Sequence, residues 1–513
     1  MEILRLAISI AAITFVGYNI LYLPIFKKGG LPLPEKLFIS YGAGLGFLSL
    51  EMLLFYFIKA KFSLKAIFIP WAPLFIANAV PFRLLRRSQG IAAWLLAMTD
   101  RVIARTKSEA IHEASRGCRR QPQRSLRYRA LKIFLIFGIT FEILYALFRA
   151  LIKPIESYDA IAIYAIKSKI FYLAGSIPQG FFRGLARAFP HPDYPLNIPL
   201  SQTLIYLSLG NLNDQLVKLI FPLFFIGILV MLYFSIRRFA SQAYALLFTF
   251  ILASVPQFNA YAANAYLDLP LAYYCFASSL ALFSWLEDKK KTQSLILSAI
   301  MAGLAGWTKN EGLMYCAINI LLIAIYFVSE RNRTVEPRAH TLERNPATEG
   351  RPEQMRGANG VAREVIGAGA VYIGIVSIIS LPWALIKRSA NLVNADIASG
   401  GFIPTGILQE ASHKIAPIIY EFQKQFFGPK KWNILWPIIL LALVFNYKKI
   451  FSGITKYITM SLLFAVLGYI FFYLASPVEI NYFLSRTWSR FIIHFLPMVI
   501  YLAAYLMKEE LDI

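Results

Sequence analysis

The stretch from Ser157 to Pro195 carries a carboxylate at Asp159, lysines at Lys167 and Lys169, and the element His191-Pro192-Asp193-Tyr194-Pro195, all just after a strongly apolar run. A carboxylate there can take a proton from a hydroxyl or hold a cation, and lysine and histidine can hold a phosphate. Hydrocarbon tolerates such groups poorly, so a cluster at its edge needs a reason. If the chain is helical from Ser157, Ile163 and Ile166 share the face of Asp159, flanked by Lys167 and Lys169. Such a helix, lying on the membrane surface, would hold the carboxylate at headgroup height. His191 and Asp193, two apart in an extended segment stiffened by proline, project to one side. They could grip a phosphate, a metal or a sugar hydroxyl, and Pro195 can open the helix that follows. The plainer alternatives are an N-cap at Asp159 with snorkelling lysines, and a rigid solvated turn at His191–Pro195.

Three later elements carry similar chemistry. Asp268 precedes Leu269-Pro270 at the start of an apolar run; it reads as a functional carboxylate or a helix cap. Trp307-Thr308-Lys309-Asn310-Glu311-Gly312 sets Lys309 and Glu311 in a tight turn between two apolar runs, where an internal ion pair is the plain reading. Ser485-Arg486-Thr487-Trp488-Ser489-Arg490 leads into an apolar run in which Arg490 and His494, four apart, share a helical face. A guanidinium can bind phosphate bidentately or anchor to headgroups.

These groups need elements to position them, and composition says which kind. The chain has 513 residues, 58% hydrophobic and only 16% charged. Its mean hydropathy is +0.56. Apolar runs recur at the length that crosses about 30 Å of hydrocarbon, and the alternating strands of a membrane barrel are absent. An all-α polytopic membrane protein is expected. About thirteen spans are predicted: 4–24, 36–58, 64–82, 130–152, 214–236, 241–256, 269–286, 293–308, 313–329, 365–386, 432–446, 454–476 and 490–507. The first is read as a retained span, since it lacks a basic n-region and a small-residue cleavage site. The net charge of +24 fits cytoplasmic loops and anionic headgroups better than nucleic acid, for which no recognition module is visible. Cys118, Cys275 and Cys316 imply no disulfide framework.

The charge pattern divides and orients the chain. Residues 1–82 form an additional N-terminal membrane module and 83–129 a basic cytoplasmic loop. Residues 130–330 form a central core, 331–364 a polar, flexible cytoplasmic linker, and 365–513 a C-terminal membrane region. Arg237-Arg238, Lys289-Lys290-Lys291 and Lys448-Lys449 should also be cytoplasmic. The count closes only if Tyr194–Gly210, short and broken by Pro199, does not cross; it is read as an interfacial or re-entrant helix. Loops 153–213, 257–268, 309–312, 387–431 and 477–489 then share the outer side. Lys59, Lys61 and Lys65 disagree with this scheme. All the reactive groups above come out on one side, where they could converge on one cavity.

In this order and on one side, the elements resemble the GT-C superfamily of integral-membrane glycosyltransferases. The nearest branch resembles the dolichyl-phosphate-mannose–protein mannosyltransferases and the bacterial aminoarabinose and lipid-linked sugar transferases (family 39-like). The matching features are Asp159 in the first outer loop, His191-Pro192 near its end, Asp268-Leu269-Pro270 in the second, Gly303 to Gly312, and Ser489-Arg490 through Pro497. The likeness covers about 130–330 well and the C-terminal third loosely. The His-Pro element continues as Asp-Tyr-Pro rather than with a second proline, and the first three spans lie before the family's usual core.

The resemblance implies a polyprenyl-phosphate sugar as donor, hexosyl or pentosyl, and a glycan, lipid or protein as acceptor. A phosphate leaving group needs little protonation, so one carboxylate base suffices. Asp159 is the expected base and Asp268 positions the acceptor or a metal. Lys167, Lys169, His191, Asp193, Tyr194, Lys309, Glu311, Arg486, Arg490 and His494 are expected to bind substrate or phosphate. In-line attack would invert the anomeric centre. The resemblance fixes no cofactor, and a divalent metal stays open, with Asp159, His191, Asp193 and Asp268 as candidate ligands. The expected setting is a prokaryotic plasma membrane with the site facing outward. A transporter or flippase of a lipid-linked or anionic solute is the competing class, and a polymerase or ligase of lipid-linked glycans a third.

Overall fold

A computed structural model describes residues 1–21, 31–74, 122–182, 191–342, 351–392, 404–426, 428–476 and 478–508. Cys118 and nearly all of the basic loop 83–129 lie outside them. The described residues form helices and no strand. The main helices are α1 (Glu2–Leu21), α2 (Leu33–Phe57), α3 (Pro122–Ile152), α4 (Ile166–Ala174), α5 (Asn197–Leu209), α6 (Ile220–Arg237), α7 (Gln242–Ala253) and α8 (Asp268–Glu287). They continue with α9 (Thr292–Thr308), α10 (Glu311–Leu342), α11 (Arg351–Ser389), α12 (Pro404–Phe426), α13 (Leu435–Phe445), α14 (Thr455–Ala475) and α15 (Ile480–Leu506). Among the described residues, nine helices are long and apolar enough to cross a membrane, so the chain is an all-α, multi-pass membrane protein. Of the thirteen expected spans, those at 64–82, 241–256 and 432–446 correspond to shorter apolar helices, and that at 293–308 to α9, 17 residues long.

The bundle is built around α8, whose window is 94% buried. Polar tips within it are engaged: Tyr274 donates to the Gly42 carbonyl at 2.7 Å, and Ser278 to the Ser298 carbonyl at 2.8 Å. Such residues are tolerated in a span that faces protein rather than lipid. α2 packs beside it, paired with α1 through glycines. A Cβ on Gly17 would lie 1.9 Å from the Ser40 carbonyl oxygen, and one on Gly44 2.0 Å from that of Ile13. Only bare backbone allows helices this close.

Four expectations change. Of the interfacial and re-entrant readings of Tyr194–Gly210, the interfacial one falls: α5 is buried on nearly every face. Its first residue, Asn197, bonds Ser49, two turns inside the end of α2, so α5 dips into the bundle. Pro199 lies in the first turn of α5, where its missing N–H costs nothing, so it does not break the helix. The linker 331–364 is largely helical, since α10 runs to Leu342 and α11 starts at Arg351. α15 begins at Ile480, so Arg490 lies well inside a continuous helix rather than at its start.

Helix direction separates two ends. Asp268 opens α8, Lys309 follows α9 and Glu311 opens α10, all at one end. Arg238 closes α6 and pairs with Glu35 at 2.6 Å, and Lys289 follows α8, stacked 3.5 Å from the Tyr326 ring centre; both lie at the other end. Lys59, Lys61 and Lys65 remain on the Asp268 end, tied there by the bond from the Phe62 amide to the Gly175 carbonyl.

Candidate active site

Asp268 is the hub. The Lys309 ammonium donates to Oδ1 at 3.0 Å and His494 Nε2 meets the same oxygen at 2.8 Å, while Arg490 Nε donates to Oδ2 at 3.1 Å. The carboxylate is fully enclosed. Neither cap reading survives: Asp268 spends its oxygens on these groups, and Asp159 makes no capping bond. Lys309 also pairs with Glu311 at 2.7 Å. Burial alone would push the Lys309 ammonium down, but Asp268 and Glu311 outweigh it and the group is raised. The turn that presents Lys309 and Glu311 depends on Gly312, where a Cβ would fall 2.1 Å from the Ala305 carbonyl oxygen. His494 is held from behind by Tyr469, whose hydroxyl lies 2.6 Å from Nδ1. With the neutral ring donating from Nε2 to Asp268, that hydroxyl donates to Nδ1.

Asp159 faces this hub from the first loop. Arg490 Nη1 donates to its Oδ2 at 2.5 Å, so one guanidinium bridges Asp159 and Asp268. The Tyr266 ring covers that guanidinium, 4.8 Å from its carbon. Directly after Asp159, residues Ala160–Ala165 form a π-helical turn before α4 begins. Such wide turns recur at functional sites because they re-aim side chains. Here the register shifts: Lys167 is buried and donates to the His191 carbonyl at 2.8 Å, while Lys169 pairs with Asp214 at 2.7 Å.

The segment at His191 is a turn rather than an extended strand. His191 has φ of +54°, and the Tyr194 amide bonds back to its carbonyl. His191 and Asp193 therefore diverge. The His191 ring stacks on Tyr194, with centroids 4.4 Å apart, while Asp193 is buried and accepts from Asn310 at 2.9 Å. The helix starts at Asn197, two residues beyond Pro195. Burial pushes the Asp193 carboxyl up and the Lys167 ammonium down to about 8, although Asp193 raises the latter. A lysine lowered on folding costs stability where it is charged in both states. Between pH about 8 and 10.5 the unfolded chain holds a proton that the folded chain has lost, so this group adds stability as pH rises. Replacing Lys167 with Met should remove that gain, at most about 3 kcal/mol. Thermal melts of both chains across that window check it: the variant's curve should be the flatter.

Asp159, His191, Tyr194, Lys309, Glu311 and Arg490 line one cavity of about 440 Å³. Much of the remaining lining is apolar: Met314, Gly468, Phe471, Phe472, Phe483 and Phe491. Phe471 is also 51% exposed on the outer face of α14, in line with exposed Leu463 and Leu467, so the cavity reaches the face that lipid would cover. The Tyr164 hydroxyl and His191 Nδ1, both on lining residues, have no hydrogen-bond partner among the described residues.

Several expected site residues lie elsewhere. Lys169 is held by Asp214 away from the cavity, because the π-turn rotates it off the Asp159 face. Arg486 is exposed and stacks on Tyr482, one turn before Arg490. Asp268 and His494 sit behind the lining rather than in it. The four suggested metal ligands do not converge: Asp268 is occupied by cations, Asp193 faces Asn310, and among the described residues no group of three or more His, Cys, Asp or Glu is placed for a metal. Sequence reasoning missed Tyr164, Tyr266, Asn310 and Tyr469. A tyrosine within an apolar helix is the one signal that could have flagged Tyr469, and it is weak, since most such tyrosines here are packing residues.

Comparison with known proteins adds one finding. Residues 193–342 match the family model described as dolichyl-phosphate-mannose-protein mannosyltransferase, a segment that carries Asp193, Asp268, Lys309 and Glu311. Comparison with curated proteins and with solved structures returned no match. Through that segment, less than a third of its length, the chain is similar to the dolichyl-phosphate-mannose-protein mannosyltransferases.

Proposed function

We propose that the chain transfers a sugar from a polyprenyl-phosphate donor to a hydroxyl-bearing acceptor, with inversion, in the cavity lined by Asp159, Lys309 and Arg490. One observation carries this: a single cavity joins two cations and two carboxylates to apolar residues that reach the lipid-facing surface of α14. An amphiphile with an anionic neck and a long apolar tail fits such a division. The volume suits a sugar phosphate head, within the range of about 300–1,000 Å³ for small-ligand sites.

Asp159 is the base because it lines the cavity with 23% of its side chain exposed, whereas Asp268 is fully enclosed. Arg490 occupies Oδ2 of Asp159 and leaves Oδ1 outside that contact. In the transfer step the acceptor O–H bond breaks, with the proton passing to Asp159. The acceptor oxygen bonds the anomeric carbon, and the bond from that carbon to the phosphate oxygen breaks, its electron pair staying on phosphate. As Asp159 becomes neutral, Arg490 is released toward the phosphate just as charge grows there. Asp268 holds Arg490 and Lys309 in place and does not touch substrate. The cavity faces outward in this reading, because Arg237, Arg238 and Lys289 mark the opposite end as cytoplasmic.

Reconstitution with a radiolabelled polyprenyl-phosphate sugar tests the proposal. Label should move to an added acceptor with release of polyprenyl phosphate. Uptake of intact donor into sealed vesicles without bond cleavage would instead make the chain a transporter.

A further inference from the structure

The N-terminal helices lie outside the family-matched segment, yet α2 reaches the underside of the site. Ser49 is buried there at the centre of a closed hydrogen-bond network. It accepts from Trp307 Nε1 at 2.8 Å and donates to Asn197 Oδ1 at 2.8 Å, an alternative to the Gly46 carbonyl at the same distance. Asn197 Nδ2 donates to Thr308 Oγ1 at 2.8 Å, and Thr308 donates to the Leu304 carbonyl at 2.7 Å. Ser49, Asn197, Trp307 and Thr308 are all at most 1% exposed.

The placement of this network matters. Trp307 and Thr308 are the last residues of α9, immediately before Lys309. Asn197 is four residues past Asp193, whose carboxylate accepts from Asn310. Two rungs, Asn197–Thr308 and Asp193–Asn310, thus tie the His191–Asn197 segment to the turn that presents Lys309. Ser49 fixes the deeper rung to α2. A fully satisfied buried network is rigid, and deleting one member strands the others.

We propose that Ser49 is a positioning residue: through Asn197, Trp307 and Thr308 it sets the depth at which Lys309 meets the donor phosphate, so that α2 completes the site. The inference rests on the transfer reading for its catalytic consequence, but not for its structural one. Ser49→Ala is expected to lower kcat by about 10- to 100-fold, the scale of a roughly 1 Å misplacement, with donor KM within a few-fold of wild type. Ser49→Thr, which keeps the hydroxyl, should recover most of that loss. Ser9→Ala is the control: it removes the 2.8 Å Ser9–Ser208 bond between α1 and α5, also polar and partly buried, but away from the turn. It should leave kcat unchanged. Hydrogen exchange of a peptide covering 305–315 reads the same idea without activity: faster in Ser49→Ala, unchanged in Ser9→Ala. Unchanged exchange in Ser49→Ala, or equal effects of the two alanine variants on exchange or kcat, would overturn the proposal. If no variant and no wild-type chain transfers sugar while the exchange difference persists, the transfer reading fails and the positioning of the turn stands.

Discussion

Asp159→Asn is expected to abolish sugar transfer while binding the donor more tightly than the wild-type chain does. Loss of a general base costs about 10²- to 10⁴-fold in rate. The second half of the expectation is the more specific. Arg490 is shared between Asp159 and Asp268, and an incoming phosphate competes with Asp159 for the same guanidinium. Neutralising Asp159 keeps the side chain's shape and ends that competition. Donor affinity should rise by a few-fold in titrations at low ionic strength. An unchanged affinity would mean that Arg490 serves only the protein and that phosphate sits elsewhere; a transfer rate near wild type would remove Asp159 from the chemistry.

Arg490→Lys should have the opposite signature on binding. The guanidinium reaches two carboxylates through two different nitrogens, Nη1 to Asp159 and Nε to Asp268. A lysine has one nitrogen and cannot bridge both while meeting a phosphate. Removing a single preorganised donor from a developing charge costs about 10²- to 10³-fold in rate. Here donor binding should fall as well, by at least about tenfold, because Lys309 alone must hold the phosphate while paired to Asp268 and Glu311. The contrast is the useful part. Both substitutions break the same Asp159–Arg490 contact, yet one strengthens donor binding and the other weakens it. A fold that merely needed that ion pair would show two similar losses of stability and no such split, which melting curves for both variants would reveal.

Much of this was legible in the chain, for identifiable reasons. Run length and low charge announce membrane helices, since the hydrocarbon sets both. Asp159, Lys309, Glu311 and Arg490 stood out because ionisable groups are rare in such a sequence. Their convergence could be argued from sidedness alone. Four features were not legible. A π-turn after Asp159 needs one extra residue per turn, and nothing in A-I-A-I-Y-A announces it; hence helical spacing groups Lys169 with Lys167 although it faces Asp214. The stretch at His191 reads as extended because prolines flank it, but the turn is fixed by tertiary partners, with Lys167 holding its carbonyl and Asn310 its carboxylate. The burial of α5 was hidden because a short apolar segment looks alike on a surface and inside a bundle. The distinction between Asp159 in the cavity and Asp268 behind it rests on depth, which residue type does not encode.

In the proposed reaction the donor phosphate rests between Lys309 and Arg490 with the anomeric carbon near Asp159. The Asp159→Asn chain, which should bind donor without consuming it, allows that to be seen directly. Its structure with a bound polyprenyl-phosphate sugar is predicted to place phosphate oxygens within hydrogen-bond distance of both Lys309 Nζ and Arg490, with the tail running past Phe471 along α14. A headgroup bound outside this cavity, or within it but out of reach of both cations, would contradict that placement.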